Sequence, residues 1–327
     1  MLLFLFIDTL VNISLKPYNL TKTERRFSFM CKKLLVTLTI LLLTASFAVG
    51  CDGGSEEDGD ASVPERFDNE IVGIDSGAEI MGTVENEVMV EYGLDEYDLV
   101  ESSEAGMITE IDSRVDDEEW VVGIGWTPHW KIPEYDMKFL EDPKGIFGEA
   151  ENIKALSRAG FTDDMPEVSQ TLQNFYLTED QLGELMALVE DTDSNEREVV
   201  KEWAEDNQDV ISEWVPEDPD GEGETVELLY NNWTDAIAST NLIAYVLEEE
   251  MNYEVEMEMV DVAFVFEGLA SGDYDAMVCA WLPLTQANYW EEYGDDLEDL
   301  GPIFEGAKLG LVVPDYVEID SIEEMAE

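Results

Sequence analysis

Basic residues are scarce in this chain: 16 lysines and arginines stand against 78 aspartates and glutamates in 327 residues, a formal net charge of -62. So negative a surface repels phosphate backbones and anionic headgroups, which excludes nucleic acid as a partner and charge-driven adhesion to lipid. Cysteine is nearly absent as well. Cys31, Cys51 and Cys279 are too few and too scattered for a disulfide framework or a zinc site. The single histidine, His129, has no nucleophile constellation near it in the sequence. It reads as a structural residue that orients its turn or donates a hydrogen bond to ligand or backbone, not as a catalytic base. The acids lack EF-hand spacing, and neither a metal nor a cofactor is expected.

What is present is a core. Hydrophobic residues make up 45% of the chain, whereas disorder joins high charge to low hydrophobicity. The acid is therefore laid over a folded interior. Adaptation to strong brine explains it, because at 1 M salt the Debye length shrinks to about 3 Å and repulsion between surface carboxylates is screened. A calcium-binding surface is the competing reading of the same charge. The length suits two lobes or two domains.

Residues 30–33 form a short basic head, residues 34–47 a strongly apolar run, and Ala48-Val-Gly-Cys51 places small residues before a cysteine. This pattern, over residues 30–50, looks like a bacterial lipoprotein signal with Cys51 as the lipidated first residue of the mature chain. The alternative, a retained membrane span, wants about 20 apolar residues and has fewer. Residues 1–29 read as a mis-called upstream extension, with initiation at Met30. The first 50 residues carry six basic and two acidic side chains, leaving 10 basic against 76 acidic in the exported part. Residues 51–66 form an acidic, flexible tether.

From Phe67 onward strand and helix patterns alternate. Strands are expected at 70–75, 98–102 and 121–125, with a helix over 78–92. Residues 150–159, 178–189 and 196–214 show apolar spacing of three and four and read as helices, with capping-box spacing at Thr178 and Gln181. The acid-, proline- and glycine-rich residues 216–224 form a linker between one segment at 67–215 and another at 225–327. The second segment reads as strands at 226–230, 253–259, 276–280 and 308–313, with helices at 239–251 and 264–270. Such alternation implies an α/β fold with a mostly parallel sheet in each segment. Which lobe owns residues 150–214 stays open.

Two tryptophan turns stand out, Gly125-Trp-Thr-Pro-His-Trp130 and Ala280-Trp-Leu-Pro283. A lone Trp is usually a core residue. Here each follows an apolar run halted by proline, which leaves an indole at the carboxyl edge of a strand, where open α/β sheets bind ligands. Indole faces attract a cation that lacks N–H donors by about 0.5 to 2 kcal/mol per contact, so quaternary ammonium is the expected guest. Residues 234–237, where a strand gives way to a helix, offer free amides for a carboxylate.

Further motifs join these: Tyr230-Asn-Asn-Trp-Thr-Asp-Ala-Ile-Ala-Ser-Thr240, Leu269-Ala-Ser-Gly-Asp273, Tyr289-Trp-Glu-Glu-Tyr293, Gly306-Ala-Lys-Leu-Gly-Leu-Val-Val-Pro314, Ile71-Val-Gly-Ile-Asp75 and the run from Tyr135 through Leu140-Glu-Asp-Pro-Lys-Gly145. Together they resemble the glycine betaine substrate-binding proteins of ABC importers, over nearly all of residues 67–327. The resemblance implies a two-lobed fold of the type II periplasmic-binding-protein kind, with the ligand cleft between the lobes. The two portions stand in reversed order, as in a circular permutation. By the same resemblance Trp130 and Trp281 are the first candidates for an aromatic cage, Trp126 and Trp233 pack behind it, and the main-chain amides of Ala236 and Ile237 bind the ligand carboxylate. Leu177 stands where many relatives have another cage tryptophan, so Tyr176 or Phe175 supplies the missing face or the cage is more open.

The implied function is not enzymatic: a lipid-anchored extracytoplasmic receptor captures glycine betaine, or else proline betaine, choline or carnitine. It closes its lobes and delivers the guest to an ABC permease driven by a separate ATPase. An extracytoplasmic hydrolase using a carboxylate pair is a remoter alternative, since with so many acids any pair can be found. A structural or adhesive lipoprotein is another, and it leaves the tryptophan turns unexplained.

Overall fold

The computed structural model describes residues 61–190 and 195–327. The signal at 30–50, Cys51 and most of the tether lie outside the described residues. Among the described residues no helix is long and apolar enough to cross a membrane.

Strand β1 (Glu70–Val72) leads to helix α1, which runs Glu79–Thr83, passes a π turn at Val84–Val88 and continues as Met89–Tyr92. Gly93 ends it in the left-handed conformation, φ 70°, where a residue with a Cβ is strained. Next come β2 (Asp98–Val100), α2 (Glu104–Asp116), β3 (Gly123–Thr127) and β4 (Met137–Phe139). Ser103 starts α2 by accepting the Gly106 amide at 3.1 Å, satisfying one of the orphan donors of the first turn.

The remaining elements are β5 (Glu151–Arg158), α3 (Pro166–Asn174), α4 (Glu179–Glu190), α5 (Glu196–Asp206), α6 (Gln208–Trp214), β6 (Thr225–Tyr230), α7 (Thr234–Tyr245), β7 (Glu254–Met259), α8 (Val262–Ser271), β8 (Ala276–Leu282), α9 (Ala287–Tyr293) and β9 (Leu297–Pro314). The strands join in the order β2-β1-β3-β9-β5-β8-β6-β7, with β4 also on β9.

β9 holds the halves together. Its first part, residues 297–307, pairs with β5, and residues 308–312 pair with β3. One lobe is thus built from residues before about 140 plus the end of the chain, and the other from β5 through the first part of β9. The linker at 216–224 divides the sequence, but the division in space falls elsewhere. Helices α4 and α5 pack on α7, which puts the helical stretch after β5 in the second lobe.

Two expectations need correction. Residues 150–159 are not a helix but β5, set between β8 and β9. Its Lys-Ala-Leu centre favours helix locally, yet Ile153 and Ala155 point into the core while Lys154 reaches Asp299 at 2.6 Å and Arg158 reaches Asp275 at 2.9 Å. Alternate burial and cross-strand partners override propensity. Nor is the sheet mostly parallel. β1–β2, β1–β3, β6–β7 and β6–β8 are parallel, while every pairing made by β5 or β9 is antiparallel.

The ends of the folded part meet. The Val63 N–H donates to the Glu327 carbonyl at 3.2 Å, and the Tyr97 hydroxyl donates to the Met325 carbonyl at 3.0 Å.

Candidate ligand-binding site

The carboxyl ends of β3, β6 and β8 bring three indoles to one place between the lobes. Trp126 lies near the end of β3, Trp233 directly precedes α7 and Trp281 lies near the end of β8. Together with Asp235, Thr285, Ile74 and Leu309 they line a cavity of about 30 Å³.

Each ring is held by a hydrogen bond or a neighbour. Trp281 donates through Nε1 to Asp235 Oδ2 at 2.9 Å, and its amide donates to Gln286 Oε1 at 3.0 Å. Trp233 donates through Nε1 to Asp75 Oδ2 at 3.3 Å, from the second lobe to the first. Trp126 meets the His129 ring edge-on, centroids 4.7 Å apart, and His129 in turn lies 5.6 Å from Trp130.

Asp235 is the acid of this cavity. It is 1% exposed; Oδ2 accepts from Trp281 and from the Cys279 thiol at 3.1 Å, while Oδ1 has no partner. Burial first, and then the charge of Glu104, push its pKa up to about 6. An unpartnered carboxylate oxygen at a dry, aromatic wall is costly unless a guest uses it.

Behind this wall runs a buried polar chain. Glu104 opens α2 in the first lobe and accepts three hydrogen bonds: Thr234 N–H at 3.0 Å, Thr234 O–H at 2.6 Å and His129 Nε2 at 3.1 Å. Thr234 starts α7 in the second lobe, so the contact crosses the cleft. Burial raises the Glu104 pKa, but the hydrogen bonds from His129 and Thr234 outweigh it and hold the carboxyl below its ordinary range. The tautomer of His129 follows from its neighbours: Nδ1 accepts the Lys131 amide at 3.0 Å, so Nε2 carries the proton given to Glu104. Burial, then the nearby Lys131 charge, push the imidazole down to about 4. His129 is neutral at physiological pH, and its contact with Glu104 is a hydrogen bond rather than an ion pair.

The residues singled out in the sequence are thus brought together only in part. Trp126, Trp233 and Trp281 converge. Trp130 does not line their cavity; it borders a separate groove of about 760 Å³ with Glu134, Asp136, Glu179 and Asp180. Tyr176 is 41% exposed and Leu177 is fully buried, while Phe175 packs edge-on against Trp214 with centroids 4.8 Å apart. None of the three lines the cavity. Ala236 is buried, and the Ile237 amide is already used inside α7, donating to the Trp233 carbonyl at 2.9 Å. Asp235 and Glu104 were not anticipated. Asp235 was legible as the acid two residues after Trp233 at a strand-to-helix turn, whereas Glu104, one acid among 78, carried no signal of its own.

Comparison with known proteins shows the family. Residues 55–206 and 224–327 match the sequence profile of the substrate binding domain of ABC-type glycine betaine transport systems. The chain is 36% identical over 299 residues to the glycine betaine/carnitine transport binding protein GbuC of Listeria monocytogenes, covering 90% of this chain and 99% of that one. Among solved structures, the glycine betaine, L-proline-binding protein of Borrelia burgdorferi is 31% identical over 49% of this chain and 63% of its own, TM-score 0.41. The lactococcal protein complexed with glycine betaine is 30% identical over 45% and 58%, TM-score 0.40. On the extent of the profile match and of the identity to the Listeria protein, the chain belongs to the family of substrate-binding domains of ABC-type glycine betaine transport systems.

Proposed function

We propose that the protein captures glycine betaine, or a related quaternary ammonium osmolyte such as choline, carnitine or proline betaine, outside the cytoplasmic membrane and delivers it to an ABC permease served by a separate ATPase. The observation that carries this reading is the meeting of Trp126, Trp233 and Trp281 around one cavity whose lining also includes Asp235. Indole faces favour a cation without N–H donors. The cage proposed here is accordingly Trp126, Trp233 and Trp281, with His129 and Trp130 as its support. Ala236 and Ile237 stand at the start of α7, where a betaine carboxylate would have to compete with the Trp233 carbonyl for the Ile237 amide. Closure of the lobes across the Glu104–Thr234 contact is the proposed working motion.

Two further parts of the reading have their own support. The basic head, apolar run and small residues before Cys51 favour a lipid anchor there, and metabolic labelling with palmitate that fails on Cys51→Ser but succeeds on the native chain is the expected result. The reversed order of the two portions is favoured by the adjacency of Val63 and Glu327, since neighbouring ends make permutation cheap. Calorimetric titration with the four candidate guests tests the function itself. Binding of at least one is expected, and Trp281→Ala should weaken it by more than about 1 kcal/mol; no response to any of the four refutes the assignment.

A further inference from the structure

Lys131 is a lysine with no exposed surface. It opens a short helical turn, Lys131–Glu134, and its amine turns back into the first lobe. There Nζ donates to the Ile124 carbonyl at 3.1 Å and approaches Met107 Sδ at 3.8 Å. The same Nζ stands 3.7 Å from the centroid of the Trp126 ring. Trp126 lines the cavity and Lys131 does not, so one indole borders both the cavity and the amine. The titratable groups that act on this amine are Glu104 of α2 and His129 of the same turn. Neither makes a hydrogen bond to it. β3 presents a carbonyl, and α2 also presents a thioether.

A buried amine without a carboxylate partner is an unusual thing to keep behind an aromatic wall. An indole has one quadrupole to share. A cation already on the ring draws the π density toward itself and repels a second cation directly, through a medium less screening than water. A zwitterion is repelled less, because its carboxylate offsets its ammonium.

We propose that Lys131 is a specificity-determining residue, its ammonium against the Trp126 ring disfavouring guests of net positive charge relative to zwitterions. The proposal rests on the reading of the cavity as a quaternary ammonium cage. Burial pushes the Lys131 amine down to about 7, partly offset by Glu104, so the penalty is one that pH can remove. A neutral amine still donates to Ile124, and the wall keeps its shape as the charge leaves.

The test is calorimetric titration of the native protein and Lys131→Met with choline, a cation, and with glycine betaine, a zwitterion, at about pH 6 and about pH 9. Asp235 titrates in both proteins and cancels from the comparison. At about pH 6 the variant should bind choline about tenfold more tightly than the native protein, and at about pH 9 the two should agree within about twofold, as expected for a group that is protonated below about 7 and neutral above it. Glycine betaine should change by no more than about twofold at either pH. An unchanged preference between choline and betaine at about pH 6, or a difference that persists at about pH 9, overturns the proposal. If the variant fails to fold, choline binding to the native protein at about pH 7 in two buffers of different ionisation enthalpy decides. Release of about half a proton per choline is expected, against about a tenth from Asp235 alone, and the smaller value overturns it. Failure of both guests to bind the native protein overturns the cage reading itself and this proposal with it.

Discussion

The contact between Glu104 and Thr234 is the place where one substitution should reveal how the lobes are held. Glu104→Gln keeps the shape of the side chain but replaces one acceptor oxygen by an amide that can only donate. Three donors converge on the native carboxylate, Thr234 N–H, Thr234 O–H and His129 Nε2–H. The imidazole cannot turn to accept, because its Nδ1 already takes the Lys131 amide. At least one buried donor and part of the new amide are left unsatisfied, at about 1 to 3 kcal/mol each, for a total of about 2 to 6 kcal/mol. Urea unfolding of the folded domain at neutral pH measures this directly. The pH dependence carries the sign. Because the folded-state pKa of Glu104 is held down, its contribution is fully present above the unfolded value of about 4.3 and is lost as pH falls through the lower folded value. The gap between native and variant stabilities should therefore persist through mildly acidic buffers and close only below about pH 4. A loss under about 0.5 kcal/mol at neutral pH, or a gap that closes near pH 6 to 7 where Asp235 and Lys131 titrate, would refute the assignment of Glu104 as an ionised bridge across the cleft.

Two further outcomes are expected. Gly125→Ala places a Cβ against both methyls of Val312 on β9, within the pairing of β3 with β9 that unites the lobes; thermal melts should show a loss of about 1 to 3 kcal/mol, and recovery in the double variant with Val312→Ala would confirm the steric cause. The excess of acid predicts that Tm rises between dilute buffer and molar salt as repulsion is screened, whereas a flat or falling Tm contradicts the brine reading.

The alternation of strand and helix was legible in residues 70–100 and again after 225, because these elements carry their own periodicity and turn residues. β5 was not, since its burial comes from lying between β8 and β9, partners far away in the chain. α7 begins at Thr234 rather than near 239 for a related reason. Ser239, Thr240 and Asn241 are all buried, so the helix shows no polar face by which a periodicity could mark its start. Ser239 and Asn241 satisfy themselves on carbonyls four residues back, at 2.6 and 2.8 Å. The long β9 was seen only in its second half, where the run Leu309 to Val313 is apolar; its first half is broken by Gly301, Pro302 and Gly306 and is a strand because β5 is there to pair with it.

The site divides in the same way. The sequence by itself determined which turns carry indoles and that they follow strands, and from these it set the expectation of a quaternary ammonium guest. Only the tertiary structure decided which indoles meet. Trp130 is four residues from Trp126, yet it borders another groove, whereas Trp233 and Trp281, more than 100 residues away in the chain, share a cavity with Trp126. Likewise nothing local distinguishes Glu104 among 78 acids or Lys131 among 16 basic residues. Their roles arise from burial and from partners on other strands and helices, because the strength of a charge in a protein depends on what surrounds it and the surroundings exist only after folding.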